Sequence, residues 1–472
     1  MNRESELVKN TLILSVGRFL PKLVLFITLP IMTGNLSKSD FGLYDLINTI
    51  VMLWMPIITL QIQSSAFRYL IDVRDNREQC KRIITNVLTI TLTACAVVLP
   101  LSIFAFNQYG KFNSYLVALY LMTDGIYTIV GQMSRGLGHN RVFSESSFVL
   151  SLVNCSGILI SLLLFHSGLN GVILSLLLSN AFAFLYLVIK LKLYEYIDFR
   201  FTSMEQIKEL VAYSWPMIPN NLSTWVLSLS DRLVITAFLG IEANAVYAAA
   251  NKVPSMLSMV QGVIVMAWQE NASLAVNDKD ARRYFSEMFM MIYKSMIGVT
   301  AFLIGVMPVL FKLLIRGDYG QAYVQMPILI LAMFFFCMSS VYGGIYIAHK
   351  KTLSVGFSTM VAAGINLVVD FILVRPFGIT AGSISTLSAY FFLFIFRMIN
   401  IRKFQPMRYD YKRLILLIIA IIVMLDICFI QNPYLNVLNV ILGIALLITL
   451  NYGTIQRVYY VIKRKLSKDR RI

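Results

Sequence analysis

The chain has 472 residues, is 58% hydrophobic and carries a formal net charge of +17 at pH 7. Soluble domains sit at about 45–50% apolar, and apolar runs here recur from end to end. A soluble domain with a single anchor is therefore excluded, and an all-α polytopic membrane protein is expected. The runs are continuous, not alternating ten-residue segments, which excludes a β-barrel. Five cysteines are scattered singly and there are only three histidines, so neither a disulfide framework nor a zinc site is expected, and no cofactor is implied.

Fourteen spans are predicted, near 11–34, 44–70, 83–106, 114–134, 143–165, 169–191, 210–238, 244–269, 284–311, 324–348, 353–374, 378–398, 413–430 and 434–456. Each is long enough to cross about 30 Å of hydrocarbon as a helix. The first run lacks a small-residue cleavage site and is expected to stay as a membrane helix. Charge then orients the set. The loops on one side, with both termini, hold 29 basic residues, and the opposite loops hold five: Lys38, Lys111, Lys312, Arg316 and Arg375. The positive-inside rule places both termini in the cytoplasm. Most of the net charge is thus topology and contact with anionic lipid heads, so nucleic acid is not an expected partner.

Seven basic residues remain within the spans or at their edges: Arg18, Lys22, Arg68, Arg232, Lys252, Lys294 and Arg397. A cation near mid-bilayer costs about 2.5–3.5 kcal/mol on insertion scales. Arg18 and Lys22 stand four residues apart, hence on one helix face, and Pro21 between them removes a backbone hydrogen bond. That pattern suits the wall of a polar cavity beside a bendable helix; snorkelling or pairing with a buried acid is the alternative. Arg68 and Arg397 lie near span ends, within snorkelling reach of the interface. In the seventh span Pro216 and Pro219 break the start and Asp231-Arg232 lies deeper, either as a structural ion pair or as a polar gate. Lys252 precedes Pro254 in the eighth span and lines a cavity or snorkels outward. Asp124, Asp370 and Glu270 are the acids placed to bind a coupling proton or sodium ion, or to neutralise a base.

Sliding the chain by 203 residues aligns Glu6-Leu7-Val8 with Glu209-Leu210-Val211, then Thr33, Leu36, Tyr44 and Asn48 with Thr236, Leu239, Tyr247 and Asn251. Six spans separate the copies, which gives a parallel repeat about an axis along the membrane normal, a type that encloses a central cavity. The expected organisation is a six-helix lobe over 1–192, a cytoplasmic linker over 193–209, a second six-helix lobe over 210–402, and two further helices with a basic tail over 403–472. No P-loop, GxSxG or Cys/His pair is present, so a transporter is expected and not an enzyme.

The turn LSKSDFGLY after the first span and the run WPMIPNNLSTWVLSLSDRLVITAFLG in the seventh resemble the Wzx-type polysaccharide-biosynthesis flippases of the multidrug/oligosaccharidyl-lipid/polysaccharide exporter superfamily. The resemblance covers essentially the whole chain. It implies two six-helix lobes and transport of an undecaprenyl-pyrophosphate-linked oligosaccharide across the bacterial cytoplasmic membrane for O-antigen or capsule synthesis. Polysaccharide polymerase and chain-length proteins are the implied partners. On this reading Arg18 and Lys22, helped by Lys252 and by Arg68, Arg232, Lys294 and Arg397, hold the diphosphate, and the lobes rock about Pro21, Pro216, Pro219 and Pro254. A cation-coupled multidrug exporter and a peptidoglycan-precursor flippase of the same superfamily are the rivals. A polymerase or ligase is disfavoured, because no outer loop is large.

Overall fold

The computed structural model describes residues 24, 26–108, 112–276 and 278–469. Among them there are helices and no strands. The first helix is described over 26–35 (α1). It is followed by α2 (Lys38–Ile58), α3 (Ile62–Val73), α4 (Arg77–Asn107), α5 (Ser114–Gly136), α6 (Asn140–Leu159), α7 (Gly168–Leu191), α8 (Met204–Ser214), α9 (Met217–Leu239) and α10 (Ile241–Lys252). Then come α11 (Ser255–Ala275), α12 (Ala281–Leu314), α13 (Gly320–Ala348), α14 (Thr352–Phe377), α15 (Thr380–Asn400), α16 (Tyr411–Ile430) and α17 (Pro433–Asp469).

Among the described residues 12 helices are long and apolar enough to cross a membrane; the protein is a multi-pass membrane protein. These twelve coincide with twelve of the fourteen expected spans. The expected span 11–34 lies largely outside the described residues. The expected span 244–269 is not one rod: it is α10 and α11, separated at Val253-Pro254. The expected 44–70 span is likewise divided, with α2 ending at Ile58 and α3 starting at Ile62.

The helix ends follow from local chemistry. Ser37 caps α2 by accepting a hydrogen bond from the Asp40 backbone N–H, and its hydroxyl donates back to the Asp40 carboxylate at 2.9 Å. Asn76, Asn113, Ser203 and Asp410 cap α4, α5, α8 and α16 in the same way. Such caps satisfy N–H groups that a helix start leaves without intrahelical partners. The 203-residue offset extends to element boundaries. It carries the start of α2 at Lys38 onto the start of α10 at Ile241. It also carries the end of α3 at Val73 and the start of α4 at Arg77 to within one residue of the end of α11 and the start of α12.

The chain divides into two compact units. One comprises residues up to Ala245 with Leu314–Gly317, and the other comprises Val246–Leu313 with Asp318 onward. In the first unit, Ile62, Ala66 and Leu70 of α3 pack with Ile84 and Val87 of α4 and Met133 of α5 in one apolar core. Residues 193–209 lie against α4: Asn86 bonds to the Phe201 carbonyl, the Ser203 N–H and the Gln206 side chain. The second unit is built around α13, whose most apolar stretch is 72% buried and whose Tyr342 stacks on Phe289 of α12. Here α17 meets α12 through glycines: a Cβ at Gly305 would lie 2.6 Å from the Asn439 carbonyl oxygen, and one at Gly443 would lie 2.6 Å from that of Ala301. Small residues let backbones approach this closely where no hydrophobic drive separates helix from lipid.

Candidate functional site

Arg18, Pro21 and Lys22 lie outside the described residues. What the first unit does describe is a polar cluster between α2 and α9. The Arg232 Nε sits 3.1 Å from an Asp45 carboxylate oxygen, with side-chain exposures of 15% and 4%. An Arg232 guanidinium N–H also donates to the Thr49 hydroxyl at 3.3 Å, and the Trp225 indole N–H donates to the Thr49 carbonyl at 3.0 Å. Asp231, its neighbour in sequence, is buried at 2% exposure on another side of α9, because adjacent helical residues point about 100° apart.

The LSKSDFGLY turn that carries the family resemblance proves to be the device that seats this cluster. Ser37 and Asp40 form the α2 cap described above. Phe41 is fully buried. Gly42 approaches the α10 start so closely that a Cβ there would lie 2.2 Å from the Ile241 carbonyl oxygen. Its own carbonyl accepts a hydrogen bond from the Asn244 amide at 3.1 Å. Asp45 follows one turn later. Its signal in sequence was its spacing, i and i+4, to Thr49, within a stretch otherwise readable as a span entrance.

The helix breaks are placed as follows. Pro216 is the N-cap residue of α9 and Pro219 sits in its first turn, where the missing N–H has no intrahelical partner to lose. Val253-Pro254 separates α10 from α11, and half-buried Lys252 is the last residue of α10. A further break has no proline within it: Leu60 and Gln61 both adopt left-handed backbone, φ 49° and φ 55°, and divide α2 from α3. The available signal was Pro56 inside α2, which lacks a backbone N–H and crowds the carbonyl four residues earlier, weakening the turn that leads into the break.

The remaining candidates lie apart from one another. Arg68 pairs with Asp72 on the exposed face of α3, half its side chain exposed. Asp124 accepts a hydrogen bond from the Asn180 side chain, linking α5 to α7. In the second unit Arg397 is only 5% exposed. It donates to the Ser358 and Thr359 hydroxyls and the Ser339 carbonyl, each at 3.0 Å, and to the Val355 carbonyl at 3.4 Å. Asp370 is fully buried and accepts from Ser385 at 3.1 Å; Asn366, also fully buried, bonds the same hydroxyl. Lys294 is half-buried with Asp410 and Arg413 as its charged neighbours. Lys294 is the fourteenth of the 34 residues of α12, about 20 Å along the helix from its first residue, beside the segment before α16. Glu270 is on α11, and its side chain lies outside the described residues. Trp225 and Trp268 each donate their indole N–H to a backbone carbonyl within their own unit, which marks them as packing anchors.

Several proteins share this fold. An inward-facing multidrug resistance MATE family transporter of the MOP superfamily aligns with a TM-score of 0.65 at 16% identity, over 82% of this chain and 98% of that one. Lipid II flippase MurJ in an inward closed conformation aligns with a TM-score of 0.71 at 12% identity, over 95% of this chain and 100% of that one. An outward-facing MATE family transporter aligns with a TM-score of 0.56 at 15% identity, over 84% and 95%. No curated protein sequence matches the chain. A family profile described as "Polysaccharide biosynthesis protein" matches residues 7–269, more than half of the 472 residues and the whole stretch holding the basic first span, the capped turn and the α9 cluster. The chain belongs to this polysaccharide biosynthesis family.

Proposed function

We propose that the protein is a flippase for an undecaprenyl-pyrophosphate-linked oligosaccharide repeat unit, serving O-antigen or capsule synthesis at the bacterial cytoplasmic membrane. The observation that carries the reading is membership of the polysaccharide biosynthesis family in a chain whose first span holds two bases and no acid. An oligosaccharide cannot enter hydrocarbon without losing its hydrogen bonds to water, so it needs a polar path while its lipid tail stays in the bilayer. The diphosphate is anionic and calls for bases facing that path. Arg18 and Lys22 are its principal partners, with Lys252 beside a helix break and Arg68, Arg232, Lys294 and Arg397 as a secondary set. Arg232 and Arg397 hold protein partners in this conformation and exchange them for phosphate only if the surrounding helices move. The six-helix lobes rock about Pro21, Pro216, Pro219 and Pro254 to alternate access, and Asp370, Asp124 or Glu270 takes the coupling ion. The excess of positive charge in one set of loops supports cytoplasmic termini.

Replacing Arg18 and Lys22 together by Ala tests the assignment. Surface polysaccharide is expected to disappear while the protein stays at its normal level, with the lipid-linked precursor accumulating in the inner leaflet. Normal polysaccharide at normal protein level overturns it. A flippase for a peptidoglycan lipid precursor is the second reading, supported by the fold shared with the lipid II flippase over 95% of the chain. Rescue of cells lacking that activity would favour it. Altered drug susceptibility on overexpression would favour a cation-coupled multidrug exporter.

A further inference from the structure

The first unit carries an apolar cavity of about 1000 Å³ along one face of α4. It is lined from α2 by Trp54 and Ile57, from the break by Leu60, from α4 by Val97 and Leu101, and from α8 by Ile207. No charged residue lines it; its polar members are the hydroxyls of Thr89, Thr93, Ser102 and Thr202. A lipid-facing helix is ordinarily apolar, and the most apolar stretch of α4 is only 22% buried, so composition alone assigns nothing. Two further observations do.

The first is length. The lining on α4 runs from Thr89 to Phe106, about 25 Å at 1.5 Å per residue. An acyl chain confined to one leaflet covers only about half of the ~30 Å hydrocarbon core. A concave groove that outreaches one leaflet fits a chain longer than an acyl tail. The second is the backbone beside it. Leu60, a lining residue, and Gln61 hold consecutive left-handed conformations, each costing about 1–3 kcal/mol in a non-glycine residue. Helical hydrogen bonding gives way there to short turns: the Leu60 N–H donates to the Ile57 carbonyl at 3.3 Å and the Ile62 N–H to the Thr59 carbonyl at 2.9 Å. The Thr59 hydroxyl adds to these: it donates to the Met55 carbonyl at 2.7 Å and accepts from the Gln61 N–H at 3.3 Å. A smaller cavity behind the groove, lined by Thr59, Thr91 and Gly125, shares Ile58, Ile90 and Ala94 with it. The groove is therefore bordered by a break between two helices and not by a smooth helical surface alone.

We infer that this groove on α2, α4 and α8 holds the polyprenyl tail of the transported lipid, keeping the chain on the first unit as its head group changes leaflet. The inference rests on the flippase reading above. It assigns the tail a site separate from the basic residues that take the diphosphate.

The test uses the full-length protein in vesicles of phosphatidylglycerol and phosphatidylethanolamine doped with undecaprenyl phosphate, a carrier without sugar. Lipid retained after detergent extraction is read by native mass spectrometry. Val97→Trp and Ala105→Trp fill the groove at exposed positions, where the added ring displaces no core, and Val97→Ile is the control. Wild type and the control are expected to retain undecaprenyl phosphate in preference to phosphatidylglycerol, and both Trp variants to lose about tenfold of that retention, about 1.4 kcal/mol. On the wild-type protein alone, undecaprenyl phosphate is expected to bind at least about tenfold more tightly than geranyl phosphate, whose tail is shorter than one leaflet. Unchanged retention in the Trp variants, equal affinity for long and short tails, or a groove filled by phosphatidylglycerol overturns the inference. The two proposals fail separately. Loss of polysaccharide in the Arg18/Lys22 variant with unaltered tail retention in Val97→Trp sinks the groove alone. Tail retention lost in Val97→Trp with normal polysaccharide in the Arg18/Lys22 variant sinks the assignment of the diphosphate to Arg18 and Lys22 and leaves the groove standing as the tail site.

Discussion

Arg397 is buried and Arg232 is 15% exposed at its side chain, and the two units hold these arginines by different means. In the first unit Arg232 faces the Asp45 carboxylate at 3.1 Å, so charge meets charge. In the second unit Arg397 faces four neutral oxygens, two hydroxyls and two carbonyls, and no carboxylate pairs with it among the described residues. The difference predicts different failure modes. An ion pair fails when one member is lost, because the other is left charged in a low-dielectric setting. A cation held by neutral dipoles has no opposite charge to strand; its loss leaves acceptors without donors.

The largest expected effect is at the pair. Arg232→Met leaves Asp45 without its guanidinium and is expected to cost about 3–5 kcal/mol of stability, read as a lower unfolding temperature of the purified protein in detergent. Adding Asp45→Asn is expected to restore most of that loss, because removing both charges of a buried pair is often close to neutral. A double variant no more stable than Arg232→Met would show that Asp45 is not the group that matters. At Arg397 the expectation reverses. Arg397→Met is expected to cost about 2–3 kcal/mol through unsatisfied oxygens, and no carboxylate substitution is expected to rescue it. Arg397→Lys recovers only part, since one ammonium cannot reproduce a planar fork that reaches α13 and two turns of α14. Full rescue by Lys would mean that charge, and not geometry, is what the site requires.

Sequence made the spans legible because apolar runs of membrane length have one sensible reading, and twelve of the fourteen appear where expected. The all-α membrane fold and the family followed from the same stretches. Partners were less legible. Adjacent residues of one helix point about 100° apart, so Asp231 and Arg232 need not pair; the carboxylate beside Arg232 is Asp45, on a helix nearly two hundred residues earlier. Ion pairing depends on which helix faces pack, and periodicity within one helix does not encode that. The break at Leu60-Gln61 was missed for a related reason: neither residue is Gly or Pro, the usual marks of such a conformation.

The comparison sharpens further at Gly42, which sets how closely α2 approaches α10 and therefore where Asp45 stands. A Cβ there would lie 2.2 Å from the Ile241 carbonyl oxygen, a contact with backbone that cannot simply rotate away. Gly42→Ala is expected to push α2 outward and cost about 1–3 kcal/mol, as overpacking does. It should also weaken the Asp45–Arg232 coupling measured by a double-mutant cycle. Coupling unchanged in the Gly42→Ala background would mean that the pair adjusts independently of the helix approach.

The smallest effect is expected at the cap. Ser37 satisfies the Asp40 N–H and its hydroxyl is held in turn by the Asp40 carboxylate, so the first turn of α2 is fixed from both directions. Ser37→Ala removes one N-cap and is expected to cost about 1 kcal/mol, whereas Ser37→Thr keeps a hydroxyl and should cost less. Both variants leave Gly42 and its contact with Ile241 intact. The Asp45–Arg232 coupling should therefore survive Ser37→Ala even as overall stability falls. Loss of coupling in that variant would place control of the pair at the helix start and not at the glycine approach, and hydrogen exchange at the Asp40 and Phe41 amides would separate a frayed first turn from a displaced helix.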